Sequence, residues 1–172
     1  VLFNSEFRQL RAEVESRGSL TLIDCVRHRP ASIVASFPGE NPLQAAMVHD
    51  LYCVHALMNR REPALFRAEF HHAPHGGAEL AQATLAWPEG TLAKFSASYL
   101  TPDGMPPRGF DRMEVFGTGW AARIEPNPRP IVVWDDKARW PMPLEIRADR
   151  SGASGMMAEE LRCFCRVARG EE

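Results

Sequence analysis

The stretch Asn41 to Asn59, NPLQAAMVHDLYCVHALMN, decides how the rest of the chain is read. Asn41 is a capping residue, Pro42 suits the first helical position, and Gln44 stands where a capping-box partner reaches back. At 100° per residue Leu43, Met47, Leu51, Val54 and Met58 form one apolar stripe, with Asp50 at its margin. Ala45, His49, Tyr52 and Ala56 fall together on roughly the opposite side. A helix with a core stripe on one side and a small, histidine-bearing strip on the other has two surfaces to account for. One packs on the body of the domain, and the other is placed to line a cleft.

Working outward, the N-terminal side predicts a helix capped by Asn4 or Ser5, striped by Phe3, Phe7, Leu10 and Val14, and ended by Gly18. Ser19 to Arg27 alternates as a strand buried on most of both faces, and Arg29 to Glu40 reads as a loop punctuated by Pro30, Pro38 and Gly39. On the C-terminal side Pro63 to His72 reads as a strand and Pro74 to Gly77 as a turn. Glu79 to Trp87 and Thr91 to Tyr99 form a hairpin closed by Pro88-Glu89-Gly90. Ala93, Phe95, Ala97 and Tyr99 face one way along it, and Lys94, Ser96 and Ser98 the other.

Leu100 to Gly109, with three prolines and two glycines, is a loop. Phe110 to Phe116 is a strand turning at Gly117-Thr118-Gly119; Trp120 to Glu125, Pro130 to Trp134 and Leu144 to Ala148 are short strands. Ser154 caps a last helix with Met157, Leu161, Phe164 and Ala168 on one face and Gly170 at its end. The expected fold class is α+β: a mostly antiparallel open sheet of about five to seven strands with three helices on one face. The other face, mixing Leu, Arg, Glu, Thr and Ser, is available for oligomerisation.

The chain's 172 residues suffice for one domain and one core. A net charge of −2 gives no electrostatic case for nucleic acid or an anionic membrane, and no apolar run reaches bilayer length. No signal peptide is visible. Cys25, Cys53, Cys163 and Cys165 show no metal spacing, so they read as buried or half-buried thiols of a cytoplasmic protein. The first residue is Val1, which fits an excised or processed piece of a longer chain.

Candidate chemistry is sparse. His49 is the one histidine on a well-supported helix that turns away from its main apolar stripe, as a general acid/base at a cleft mouth would. On spacing alone, a partly buried structural histidine is the commoner reading. His55 reads as solvated. His71, His72 and His75 cluster at a strand end, but neighbours on a strand point to opposite faces, which argues against a shared metal ion. Arg27, His28 and Arg29 end the first strand before a loop, a place to hold an anionic or hydroxyl-rich ligand or simply to pair charges. Gly117 and Gly119 lie between two strands, so they are a turn and not a phosphate loop.

Several strings in order, FNSEFRQLRAEVESRGSL, MVHDLYCVHALMNRREP, LAWPEGTLAKFSASY, EVFGTG and EELRCFCRVARG, resemble the C-terminal domain of the glucose–fructose oxidoreductase/inositol dehydrogenase (Gfo/Idh/MocA) family across nearly the whole chain. That resemblance implies a partner N-terminal Rossmann domain, apparently absent here, which carries NAD or NADP and a Glu-Lys-Pro motif whose lysine is often catalytic. Residues 1–172 would then be the substrate-binding and oligomerising half of an NAD(P)-dependent dehydrogenase for a sugar, cyclitol or related polyol, a homo-oligomer (dimer or tetramer). Alone it is expected neither to bind the cofactor well nor to transfer hydride.

In many members the matching helix carries an Asp and a His four residues apart facing the nicotinamide. The His matches His49, followed by Asp50 as is common in the family, whereas the Asp position is Ala45. Arg27, Arg29, Gln44 and Ala45 are the expected substrate contacts, and His49 the expected proton-transfer group. The departure at Ala45 keeps two other classes open: a ligand-sensing or repressor-like relative without turnover, and a free-standing small-molecule-binding domain.

Overall fold

A computed structural model describes residues 1–36, 39–74, 76–103, 110–125, 129–134, 138–139, 147–149 and 152–171. The readings at Pro38, His75, residues 104–109 and residues 144–146 lie outside them. Helix α1 (Ser5–Arg17) starts where Asn4 Oδ1 accepts from the backbone N–H groups of Glu6 and Phe7, at 3.0 and 3.1 Å, and stops at Gly18, whose φ is 92°. Strand β1 (Leu20–Pro30) and a short helix α2 (Ser32–Ser36) follow. A single π turn (Leu43–Met47) then runs into α3 (Val48–Leu57).

Six strands come next: β2 (Leu65–His72), β3 (Ala78–Ala86), β4 (Leu92–Thr101), β5 (Phe110–Gly117), β6 (Trp120–Glu125) and β7 (Arg129–Trp134). The short β8 (Ala138–Arg139), β9 (Arg147–Asp149) and β10 (Gly152–Ser154) precede α4 (Met156–Ala168). The class is α+β, as the alternation predicts. Among the described residues the main sheet has eight strands in the order β2-β3-β4-β1-β5-β6-β7-β8, and β9 pairs with β10 apart from it. β1 lies in the middle, parallel to β4 and antiparallel to β5. The β1–β4 pair is the sheet's parallel one; every other described pairing is antiparallel.

The core lies between α1, α3 and one face of this sheet. Phe7, Leu10, Val54, Met47 and Met58 meet Ile23, Cys25, Phe95, Met113 and Val115, all nearly inaccessible. Ala81, Ala83, Ala93, Ala97 and Ala122 line the same face and leave room for the helices to approach the sheet. Trp87 donates its indole N–H to the Arg61 carbonyl (3.0 Å), and Thr91 donates its hydroxyl to the Leu20 carbonyl (2.7 Å), anchoring the β3–β4 hairpin to its surroundings.

Four expectations need correction. β1 runs on past Arg27 to Pro30, because β4 and β5 bracket it to His28 and beyond; Arg29 and Pro30 lie in the strand and not in the loop expected from Arg29 onward. The helical stripe is rotated. The Val48 N–H reaches the Leu43 carbonyl, an i→i−5 bond that widens the first turn. Asp50, Cys53 and Leu57 go inside while Leu43 and Leu51 are only half-buried. The last helix does not lie on the sheet: none of its residues is buried, and its N-cap is Gly155 and not Ser154. Finally, Cys165 is exposed, not half-buried.

Candidate functional site

At the end of the sheet formed by the last residues of β1 and β4 and the first of β5, the core face turns polar. The period-2 alternation that buries Ile23 and Cys25 puts Arg27 and Arg29 on the same side of β1. Arg27 stands opposite Ala97 of β4 and opposite Asp111 of β5, and Tyr99 continues β4's buried face. The start of α3 covers this end, bringing Asp50 down into it.

Two carboxylates bind two guanidinium groups here. Arg27 donates Nε to Asp50 Oδ2 (3.0 Å) and Nη2 to Asp50 Oδ1 (2.7 Å), a bidentate fork, and its Nη1 lies 3.1 Å from Asp111 Oδ2. Arg29 holds Asp111 with both terminal nitrogens, at 2.6 and 2.8 Å, and donates to the His28 carbonyl. Burial pushes the Asp50 carboxyl above the usual carboxylate range, and the Arg27 hydrogen bonds and charge pull against that. Burial would depress the Arg27 guanidinium, but Asp50 and Asp111 outweigh it and hold the cation charged. The four charges sum to zero, so the network leaves no spare cation for an anionic ligand.

A cleft of about 400 Å³ opens beside this network, lined by Arg27, Arg29, Ala45, His49, Tyr99 and Glu40 among others. It brings together four of the five residues singled out from the sequence. Gln44 is not among its lining: it is exposed, its backbone N–H and side chain are bonded to Asn41 (3.0 Å each), and it serves the helix start instead. His49 sits at the mouth, with no hydrogen-bond partner among the described residues. Partial burial, then the Arg27 charge, holds its imidazole below the usual histidine value. Asp50, its neighbour in sequence, points into the core and is occupied by Arg27, so it cannot orient the imidazole.

Tyr99 and Asp111 are additions that the sequence reading missed as site residues. Tyr99 is 3% exposed. Its phenol is raised by burial and by the Glu40 charge, and it has no hydrogen-bond partner among the described residues. A polar-tipped aromatic ending an otherwise apolar strand face was the available signal. For Asp111 and Asp50 the signal was an arginine inside a buried strand, which requires buried carboxylates. His28 faces the other side of the sheet, where Nδ1 and Ser98 Oγ are 2.6 Å apart, so it does not reach the cleft. The strand-end His71 and His72 are exposed, and no group of metal-ligating side chains occurs among the described residues.

No protein-family profile and no curated protein sequence matches the chain. Solved structures do. UDP-N-acetylglucosamine 3-dehydrogenase GnnA from Acidithiobacillus ferrooxidans superposes with a TM-score of 0.76 at 19% identity, over 98% of this chain and 50% of that one. It is the fold of one half of that dehydrogenase. KijD10, a 3-ketoreductase from Actinomadura kijaniata in complex with TDP-benzene and NADP, matches with a TM-score of 0.74 at 16% identity, over 99% and 52%. An oxidoreductase from Agrobacterium radiobacter in complex with NAD+, L-tartaric acid and magnesium gives 0.61 at 17%, over 80% and 44%. The chain thus spans about half the length of the solved oxidoreductases it matches, and at these identities the likeness shows the fold. No helix among the described residues is long and apolar enough to cross a membrane.

Proposed function

We propose that this chain is the substrate-binding half of an NAD(P)-dependent oxidoreductase of the Gfo/Idh/MocA type, acting on a sugar, cyclitol or related polyol. The observation that carries the reading is the cleft itself. An imidazole and a buried phenol, both without hydrogen-bond partners among the described residues, face one space at the polar end of a sheet whose fold is shared with a UDP-N-acetylglucosamine 3-dehydrogenase and a 3-ketoreductase. Arg27 and Arg29 line the cleft with their charges compensated from behind by Asp50 and Asp111, and Glu40 adds an acceptor to the lining, which suits an uncharged, hydroxyl-rich substrate. Arg29 and Ala45 line the substrate side, and the small side chain at Ala45 leaves that wall open.

This chain's residues do not suit a dinucleotide. The described cleft holds no glycine-rich turn opening onto a helix N-terminus, so the pyrophosphate would be held elsewhere. A nicotinamide held outside this chain would supply hydride chemistry, while His49 and Tyr99 of this half would handle the proton and the pose. His49, neutral at physiological pH because its proton affinity is lowered, accepts the hydroxyl proton of an alcohol as its carbon is oxidised. In the reductive direction it returns that proton to the new hydroxyl. Tyr99 donates its phenolic hydrogen to a neighbouring substrate oxygen and fixes the carbon to be oxidised relative to His49. A homo-oligomer through the open sheet face, and a cytoplasmic site of action, belong to the same proposal.

A second reading is favoured by Ala45 and by the fact that no carboxylate among the described residues bonds His49: a relative that binds ligand without turnover. The natural protein, purified from its source cells, decides between them when assayed with NAD and NADP across a panel of sugars and inositols. Turnover that His49→Ala reduces by roughly 10²-fold or more supports the enzyme. Binding of cofactor and a polyol without turnover supports the sensor.

A further inference from the structure

Among the described residues α4 carries a strongly exposed apolar surface. Met157, Leu161, Phe164 and Val167 are 62, 60, 69 and 55% exposed, although their spacing makes one continuous stripe. Solvated, this stripe contributes no apolar burial to hold α4 in place. Arg8 lies 3.7 Å from Glu159, and Arg162 bonds Glu159 and the Ala153 carbonyl. Contiguous apolar exposure of this kind marks a surface that another body covers.

The location of α4 says which body. Its first turns lie against the start of the chain: Met156 shares a cavity with Val1, Asn4 and Phe7, and Glu160 shares a groove with Val1, Leu2, Phe3, His49 and Tyr52. Tyr52, 61% exposed, and Val1 and Leu2, each 38%, extend the apolar patch from α4 to the rim of the His49 cleft. Resting on the function proposed above, the geometry is restrictive. A nicotinamide must come within about 3–3.5 Å of a substrate carbon held beside His49. The half that carries it must therefore lie over the rim formed by His49, Tyr52 and Val1, and α4 is the next surface on that side.

We propose that the Met157–Leu161–Phe164–Val167 stripe is the seat of the nucleotide-binding half, which closes over His49 by gripping α4. The contact is more than a tether. The same patch that orders α4 sets the angle at which the nicotinamide meets the cleft.

Hydrogen exchange tests this in two proteins, the 172-residue chain and the natural protein captured from its source cells. The expected result is that the amides of residues 161–168 exchange at least about tenfold more slowly in the natural protein. Leu161→Glu with Phe164→Glu should abolish that protection and raise the apparent Kd for NAD or NADP, and Leu161→Met should retain both. Equal exchange of α4 in the two proteins, in a natural protein that binds NAD or NADP, overturns the seat. Protection that rises with concentration of the 172-residue chain alone would make a second copy the occupant, also overturning it. A natural protein no longer than 172 residues overturns it too. Protected α4 in a protein that turns over no polyol leaves the seat standing and removes the function proposal instead.

Discussion

Replacing Asp50 by Asn tests whether the polar end of the core is built around a buried ion pair. Asp50 and Arg27 have side chains 7 and 11% exposed and share two hydrogen bonds of 2.7 and 3.0 Å. The amide keeps the shape but turns one of the two acceptors into a donor facing a donor, leaving part of the guanidinium unpaired. Removing one partner of a buried pair costs about 3–5 kcal/mol, and here Asp111 still holds Arg27 at 3.1 Å. The expected loss is therefore near the lower bound, about 3 kcal/mol. For a domain of this size that lowers Tm by roughly 6–12 °C, and the urea midpoint by about 1–2 M.

The assay is urea unfolding of the 172-residue chain followed by fluorescence and circular dichroism together. High salt should change the difference little, because burial shields the pair from screening. The same variant has a second signature at His49. Asp50's charge supports the imidazolium and Arg27's opposes it, so Asp50→Asn should lower the His49 titration midpoint further, read by NMR of the ring protons. A loss under about 1 kcal/mol, the range of an exposed surface pair, would refute the buried-pair account.

Ala45→Asp should move the His49 midpoint upward, since a carboxylate in the same cleft favours the charged ring; no movement would place residue 45 out of electrostatic reach. His49 and His28 are both held below the usual value, chiefly by burial, so the folded chain prefers them neutral. Their share of stability is present above about pH 6.5 and falls as the pH drops below it, where the unfolded chain takes up protons first. A His28→Asn, His49→Asn variant should show a shallower loss of urea midpoint between about pH 7 and 5.5. Gly117→Ala should destabilise by about 1–3 kcal/mol, because a Cβ there meets the Trp120 indole and comes within 3.0 Å of the Ser19 carbonyl oxygen; a wild-type urea midpoint would refute the clash. Burial pushes the Cys53 thiol up to about 12 and raises Cys25 as well, whereas Cys165 is exposed. A thiol reagent at mildly alkaline pH should therefore label Cys165 first and Cys25 and Cys53 only on unfolding.

Most elements were legible because their signals are local. Asn4 with Gly18 frames α1, Pro88-Glu89-Gly90 closes β3 onto β4, and the alternation Ala93, Phe95, Ala97, Tyr99 identifies a one-sided strand. The rotation of α3 was not legible. The π turn at Leu43–Met47 changes the phase of the helix, and no residue in NPLQAAM announces it. The ion pairs Arg27–Asp50 and Arg27–Asp111 join residues 23 and 84 positions apart, so no window along the chain contains them.

By itself, the sequence determined that this is an α+β chain with a histidine-bearing helix over a one-sided sheet, since periodicity and caps act over a few residues. It also placed His49, Ala45, Arg27 and Arg29 as residues to watch. Only the tertiary structure decided that both arginines are neutralised by Asp50 and Asp111, that Tyr99 faces the His49 cleft, that Gln44 does not, and that α4 stands uncovered. The physical reason is that charge compensation and burial depend on which strands become neighbours. Pairing β1 with β4 and β5 is a long-range choice, made by the collective packing of the core and not by any one segment.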